Sequence, residues 1–225
     1  AIFTFELKCN TSGQNYEDTI RQYKFERDYN TRLLKFKAGC LAHFAMDLNE
    51  VYMCTNLKGK SSFFLPFNKG CGVGIHSGKG NPHNENGINV SYMWEYILKK
   101  YTVLYLIYKI IFLQKETKKD PDTGKRVTKE TLIFPRYHQF NAVRKLVADV
   151  VEHHSEKNYL IEHSAGSGKT NTIQWLAHRL ASLHDKENKI IFDTVCIITD
   201  RIVVDRQLQN AVLSLEHKAD RKSVV

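Results

Sequence analysis

Residues 159–170 read Tyr-Leu-Ile-Glu-His-Ser-Ala-Gly-Ser-Gly-Lys-Thr: an apolar run, then a glycine-rich turn closed by Lys-Thr, with an amphipathic stretch (Ile173, Leu176, Ala177, Leu180) after it. No other feature of the 225-residue chain constrains its fold as tightly. The pattern predicts a strand over 159–163 and a helix over 169–183, joined by a phosphate-binding loop. Successive N–H groups in such a loop form an anion nest, and the helix adds the positive end of its dipole. Gly166 and Gly168 let the backbone turn and approach a phosphate with no Cβ in the way. Ser164, Ala165, Gly166, Ser167, Gly168, Lys169 and Thr170 are the candidate cradle for a nucleoside triphosphate. Lys169 would reach its terminal phosphates, and the Thr170 hydroxyl would ligate Mg²⁺.

The strict spacing G-x-x-x-x-G-K-[ST] has glycine where this chain has His163, a departure found in helicase-type ATPases. Around the loop, helix 136–154, strand 159–163, helix 169–183, strand 195–199 and helix 205–215 alternate as in a parallel sheet. Gln139, in Phe-Pro-Arg-Tyr-His-Gln ahead of the loop, is the candidate reader of an adenine edge, although a Gln at a helix start is by default a surface residue. Thr199, Asp200 and Arg201 fall at a strand end, where parallel sheets carry ligand sites, and suit contacts to a nucleic-acid backbone. A helix cap at Asp205 is the plainer reading of that segment, and both can hold.

The amino-terminal part has a different grammar. Residues 2–8 alternate, with Phe3, Phe5 and Leu7 on one face and Thr4, Glu6 and Lys8 on the other, Leu7 being expected in the core. A helix over 16–27 follows, then strands over 40–45, 50–55 and 62–65, and a long polar loop over 68–89. Residues 93–113 read as helix broken near Tyr101. Asp120-Pro-Asp-Thr-Gly-Lys marks a turn between hairpin strands 112–115 and 127–133. Glu6 and Lys8 share one strand face; a carboxylate beside a lysine there can hold Mg²⁺ and orient water for attack on a phosphodiester, while an exposed ion pair is the default. Gln22 could sit near the same pocket.

Lys and Arg outnumber Asp and Glu by 33 to 24, an excess that suits a polyanionic partner without requiring one. The five cysteines (9, 40, 54, 71 and 196) form no Cys-x-x-Cys pair, which argues against a disulfide framework or zinc site and suits a reducing cytoplasm. His76 and His83 follow Cys71, but a solvated loop is the simpler reading. The longest apolar run, 101–113, is broken by Lys109 and too short to span a bilayer. The chain opens in a strand without Met and stops just past a helix, so a piece of a longer protein is expected.

Together these motifs resemble the R (HsdR) subunit of type I restriction enzymes. The resemblance runs from Phe5-Glu-Leu-Lys and Ile20-Arg-Gln-Tyr-Lys through Phe134-Pro-Arg-Tyr-His-Gln and the 159–170 segment to Thr199-Asp-Arg. It implies an α/β chain: a partial PD-(D/E)xK nuclease fold over 1–89, a helical connector and hairpin over 90–128, and a partial RecA-like parallel-sheet ATPase domain over 129–225. It further implies that Glu6, Lys8 and Gln22 belong to a nuclease site, Glu6 as a metal ligand. Lys169 and Thr170 would bind ATP and Mg²⁺, Gln139 would meet the adenine, and Thr199, Asp200 and Arg201 would touch DNA. Implied partners are duplex DNA and the methyltransferase and specificity subunits, in the cytoplasm and away from membranes. The Gln-x-x-x-Tyr element of such nucleases is only half present: its Tyr falls at Glu26 counting from Gln22, and its Gln at Thr19 counting back from Tyr23. The nuclease Asp and the acidic helicase motif would lie outside the chain. Two expectations follow: an ATP-dependent translocase and endonuclease, or an ATP- and DNA-binding piece without complete catalytic sites.

Overall fold

The computed structural model describes residues 2–71, 78–120, 124–199, 208 and 209. The chain divides into two compact units, 1–138 and 139–225.

In the first unit, β1 (Phe3–Leu7), α1 (Tyr16–Phe25) and β2 (Ala42–Met46) form a β-α-β crossover, with β1 and β2 parallel and Glu6 beside Ala45. β3 (Val51–Cys54) and β4 (Leu65–Pro66) add on antiparallel in the order β1-β2-β3-β4. α1 starts where it does because Asn15 and Asp18 form a reciprocal cap: the Asn15 side chain accepts from the Glu17 N–H at 2.8 Å, and Asp18 accepts from the Asn15 N–H at 3.0 Å. Buried Asp47, in the β2–β3 turn, accepts from the N–H groups of Tyr16, Asn49 and Glu50, tying that turn to the start of α1.

Both sheet faces are covered. Every residue of β2 is buried, as a strand with neighbours on either side requires. On one face Tyr23, Leu34, Ala45, Cys54 and Leu57 make a cluster beneath α1. On the other, the rings of Phe3, Phe5, Phe67 and Phe134 surround Phe44 at centroid distances of 5.1–5.9 Å. Leu7 departs from its expected burial: it is 62% exposed, because it ends an edge strand beyond the reach of the aromatic layer.

The expected helix over 93–113 is a series of three turns: π-helical Met93–Ile97, α2 (Lys100–Tyr105) and π-helical Leu106–Ile110. It gives way to β5 (Phe112–Lys119), which pairs along its whole length with β6 (Arg126–Ile133). The hairpin is longer than its sequence pattern, because cross-strand pairing extends it into polar residues that alternation alone does not mark.

The second unit holds α4 (Lys169–Ala181) and most of α3 (Tyr137–His153), which buries Gln139, Phe140, Val143, Val147 and Val150. The expected strands at 159–163 and 195–199 are without ladder pairing, and no strand element is formed in this unit among the described residues. A parallel strand exists only through its neighbours' hydrogen bonds. Leu160, 84% exposed, and Ile198, 93% exposed, lack the cover that such a sheet provides. The expected helix over 205–215 lies outside the described residues apart from helical Leu208 and Gln209. No helix among the described residues is long and apolar enough to cross a membrane.

Candidate functional site

The loop at 164–168 is organised by two left-handed glycines. Gly166 has φ 72° and Gly168, the residue opening α4, has φ 83°. The Asn171 N–H closes the first turn on the Gly168 carbonyl at 3.0 Å. No acidic side chain sits in that turn, and Lys169 lies at its head, so an anion meets positive charge from both the helix and the ammonium. The Lys169 ammonium folds back onto the carbonyls of His163 and, at 3.0 Å, Ser164, which holds it over the loop. His163 thus contributes its backbone at the position where the strict pattern has glycine. Burial, and secondarily the Lys169 charge, lower its pKa, which favours a neutral ring beside the ammonium.

Ser164, Ala165 and Gly166 are exposed, Ser167 is buried, and Thr170 is partly covered in the first turn. These residues fit a triphosphate: backbone donors, one lysine, and a hydroxyl able to complete the shell of a Mg²⁺ ion carried by the nucleotide. Gln139 enters the site differently from its sequence reading. It is 3% exposed, and its amide nitrogen donates to the carbonyls of Ser167 at 3.2 Å and Gly168 at 2.9 Å. That nitrogen grips the loop, and it would have to leave these carbonyls to meet a base. Thr199 is partly exposed; Asp200 and Arg201 lie outside the described residues, as does the Asp205-Arg-Gln segment.

In the first unit the structure brings Glu6, Lys8 and Gln22 together. With the Gln22 amide turned to satisfy both neighbours, its nitrogen donates to Glu6 Oε2 at 3.2 Å and its oxygen accepts from Lys8 Nζ at 3.2 Å. The alternation of the β1 segment puts Glu6 and Lys8 on one face, and the β-α-β crossover brings Gln22 of α1 to them. Sequence reasoning missed Arg27, whose Nε donates to Glu6 Oε1 at 2.6 Å. The chain turns back after α1, and no residue pattern foretells where its side chain lands. The hydrogen bond to Glu6 raises the Arg27 pKa further.

Tyr23, expected as the tyrosine half of a Gln-x-x-x-Tyr element, has a separate task. Buried Tyr23 joins its hydroxyl to Thr4 Oγ1 at 2.9 Å, and Thr4 Oγ1 meets His43 Nδ1 at 2.7 Å, pinning α1 to β1 and β2. Desolvation raises the Tyr23 pKa and lowers that of His43 to about 4.

The donors around Glu6 do not fit a divalent cation by themselves. One carboxylate is paired with Arg27 and linked through Gln22 to Lys8, and no group of three or more His, Cys, Asp or Glu placed to hold a metal ion is found among the described residues.

Residues 138–224, which contain the glycine loop and Lys169, match the SWI2/SNF2 ATPase family. Over about 55% of its length the chain is similar to type I restriction enzyme endonuclease subunits, as its motifs implied. A protein of Methanocaldococcus jannaschii named as the MjaVIIIP endonuclease subunit is 30% identical over 129 residues, 56% of this chain. A second from the same organism, named as the MjaVIIP endonuclease subunit, is 29% identical over 126 residues, 55% of this chain. The aligned part is 11% of the length of each relative. No solved structure matches the chain.

Proposed function

We propose that this chain is part of the ATP-dependent DNA translocase and endonuclease subunit of a type I restriction-modification system, working in the cytoplasm with methyltransferase and specificity subunits. The observation that carries the proposal is the glycine loop opening α4, with Lys169 over it, inside a segment that matches an ATPase family. In this reading the 164–170 loop binds the phosphates of ATP, Gln139 holds the loop in shape, and Thr199, Asp200 and Arg201 face DNA. The 139–225 unit is then the start of a RecA-like motor domain, and the 1–138 unit carries the PD-(D/E)xK motif in Glu6 and Lys8, with Gln22 bridging them. Glu6 would there hold Mg²⁺ together with waters, phosphate oxygens of the DNA and any further ligands that the complete subunit supplies.

Titration of a fluorescent ATP analogue into the chain and into Lys169→Ala tests the reading. Affinity should fall at least tenfold, because the ammonium is the only side-chain cation in the loop. Equal affinity of the two proteins would rule the loop out as the nucleotide site.

A further inference from the structure

Among the described residues the β5–β6 hairpin is a two-stranded sheet with no third strand, and its outer half, from Lys115 to Lys119 and from Arg126 to Lys129, is exposed. At about 3.4 Å per residue its strands run about 27 Å. A ribbon with neither face covered gains little from burial, so its side chains are free to serve another purpose.

Register sorts those side chains into two faces. On the first, Lys115 lies opposite Glu130, Thr117 opposite Thr128, and Lys119 opposite Arg126. On the second, Glu116 lies opposite Lys129 and Lys118 opposite Val127. Opposite charges across a rung stabilise a hairpin and like charges oppose it. Two rungs follow that rule, with Lys115 Nζ 3.2 Å from Glu130 Oε1 and Glu116 facing Lys129. The Lys119–Arg126 rung breaks it: neither cation has a carboxylate partner among the described residues, and Asp120 falls in the register of the other face. Directly inside this rung, Thr117 and Thr128 bring their hydroxyl oxygens to 3.0 Å of each other. At the inner end Glu130 is clamped by both Lys37 and Lys115, and their hydrogen bonds hold its carboxyl below the usual range.

We propose that this face, with the Lys119–Arg126 rung and the Thr117–Thr128 hydroxyls, binds the phosphodiester backbone of duplex DNA. Two adjacent cations beside a hydroxyl pair, one of whose protons is left to donate outward, match one phosphate group. A ribbon of this width fits along a B-DNA groove, and contacts of this kind hold the duplex without reading its sequence. The inference rests on the reading of the chain as part of a DNA-acting enzyme, and it assigns the contact to an element that no motif marked.

The test is duplex-DNA binding by the 225-residue chain across a range of salt concentrations, for wild type, Lys119→Ala/Arg126→Ala, and Lys118→Ala/Lys129→Ala on the opposite face. Removing both cations from that one phosphate should lower the slope of log K against log salt by about 0.9 and weaken binding severalfold near physiological salt. The opposite-face variant should keep the wild-type slope, and melting temperatures should match among the three. An unchanged slope in Lys119→Ala/Arg126→Ala, or an equal loss in both variants, overturns the hairpin assignment while leaving the DNA reading intact. Absence of DNA binding by the wild-type chain overturns both. Tighter binding of single strands than of duplex overturns the choice of partner.

Discussion

The Gln139 amide nitrogen lies 2.9 Å from the Gly168 carbonyl, so a buried residue in the first turn of α3 holds the glycine that opens α4. A Cβ at position 168 would stand 2.5 Å from that nitrogen, on a backbone with φ 83°. Gln139→Ala removes two hydrogen bonds from the loop, and affinity for an ATP analogue should fall by about tenfold at a net 0.5–1.5 kcal/mol per bond. Gly168→Ala should lose more, through both the clash and the left-handed strain. Calorimetric titration decides; wild-type affinity in Gln139→Ala would show that the grip has no bearing on binding.

The Glu6–Gln22–Lys8 bridge predicts a separation of activities in the full-length subunit. Lys8→Ala should reduce DNA cleavage by about two orders of magnitude or more, the usual cost of a positioned charge at a reacting phosphate, and should spare DNA-stimulated ATPase. Plasmid cleavage and phosphate release measured on the same preparation check this. Retained cutting would remove Lys8 from the nuclease reading.

Arg27 bonds Glu6 Oε1 while Gln22 bonds Oε2, so the two side chains fix the carboxylate from both sides. Arg27→Ala should lower cleavage less than Lys8→Ala, and Arg27→Lys should restore part of the loss. Failure of lysine to rescue would point to the planar two-nitrogen geometry of the guanidinium and not its charge.

His43 sets a pH dependence of stability. Its pKa is lowered to about 4 by burial, whereas an exposed histidine titrates near 6.5. The unfolded chain therefore binds the proton first. The stability His43 contributes is complete above about pH 6.5 and is lost as pH falls towards 4. Urea midpoints should drop between pH 7 and 4.5 by an amount worth roughly 2–3 kcal/mol, and His43→Gln should show a flatter profile. Parallel profiles would mean that His43 titrates normally in the folded protein.

Phe44 tests the aromatic layer. The ring is fully buried and meets four other phenylalanine rings, so Phe44→Ala should cost about 3–5 kcal/mol in chemical denaturation. A cost below about 1 kcal/mol would mean that the layer repacks around the cavity.

Local pattern carried much of this protein. The alternation of β1, the reciprocal cap of α1, the helical period of α3 and the Gly-Ser-Gly-Lys-Thr turn are all encoded within a few residues of where they act, and each element formed close to its expected bounds. Strands at 159–163 and 195–199 could not be settled in the same way. An apolar run becomes a strand only when another strand is hydrogen-bonded to it, and that partner is never local. The exposure of Leu7 follows from its place at the end of an edge strand, which alternation does not encode.

By itself the sequence determined the chemistry on offer: a nest of glycines with a lysine, a carboxylate and a lysine on one strand face, and a hairpin rich in cations. Only the tertiary structure decided which groups those residues face. It turned Gln139 onto the loop it was expected to work beside, brought Arg27 back over Glu6, and set Lys119 opposite Arg126. The physical reason is that side-chain partners are chosen by crossovers, turns and strand register, which depend on the packing of whole elements and not on neighbours in the chain.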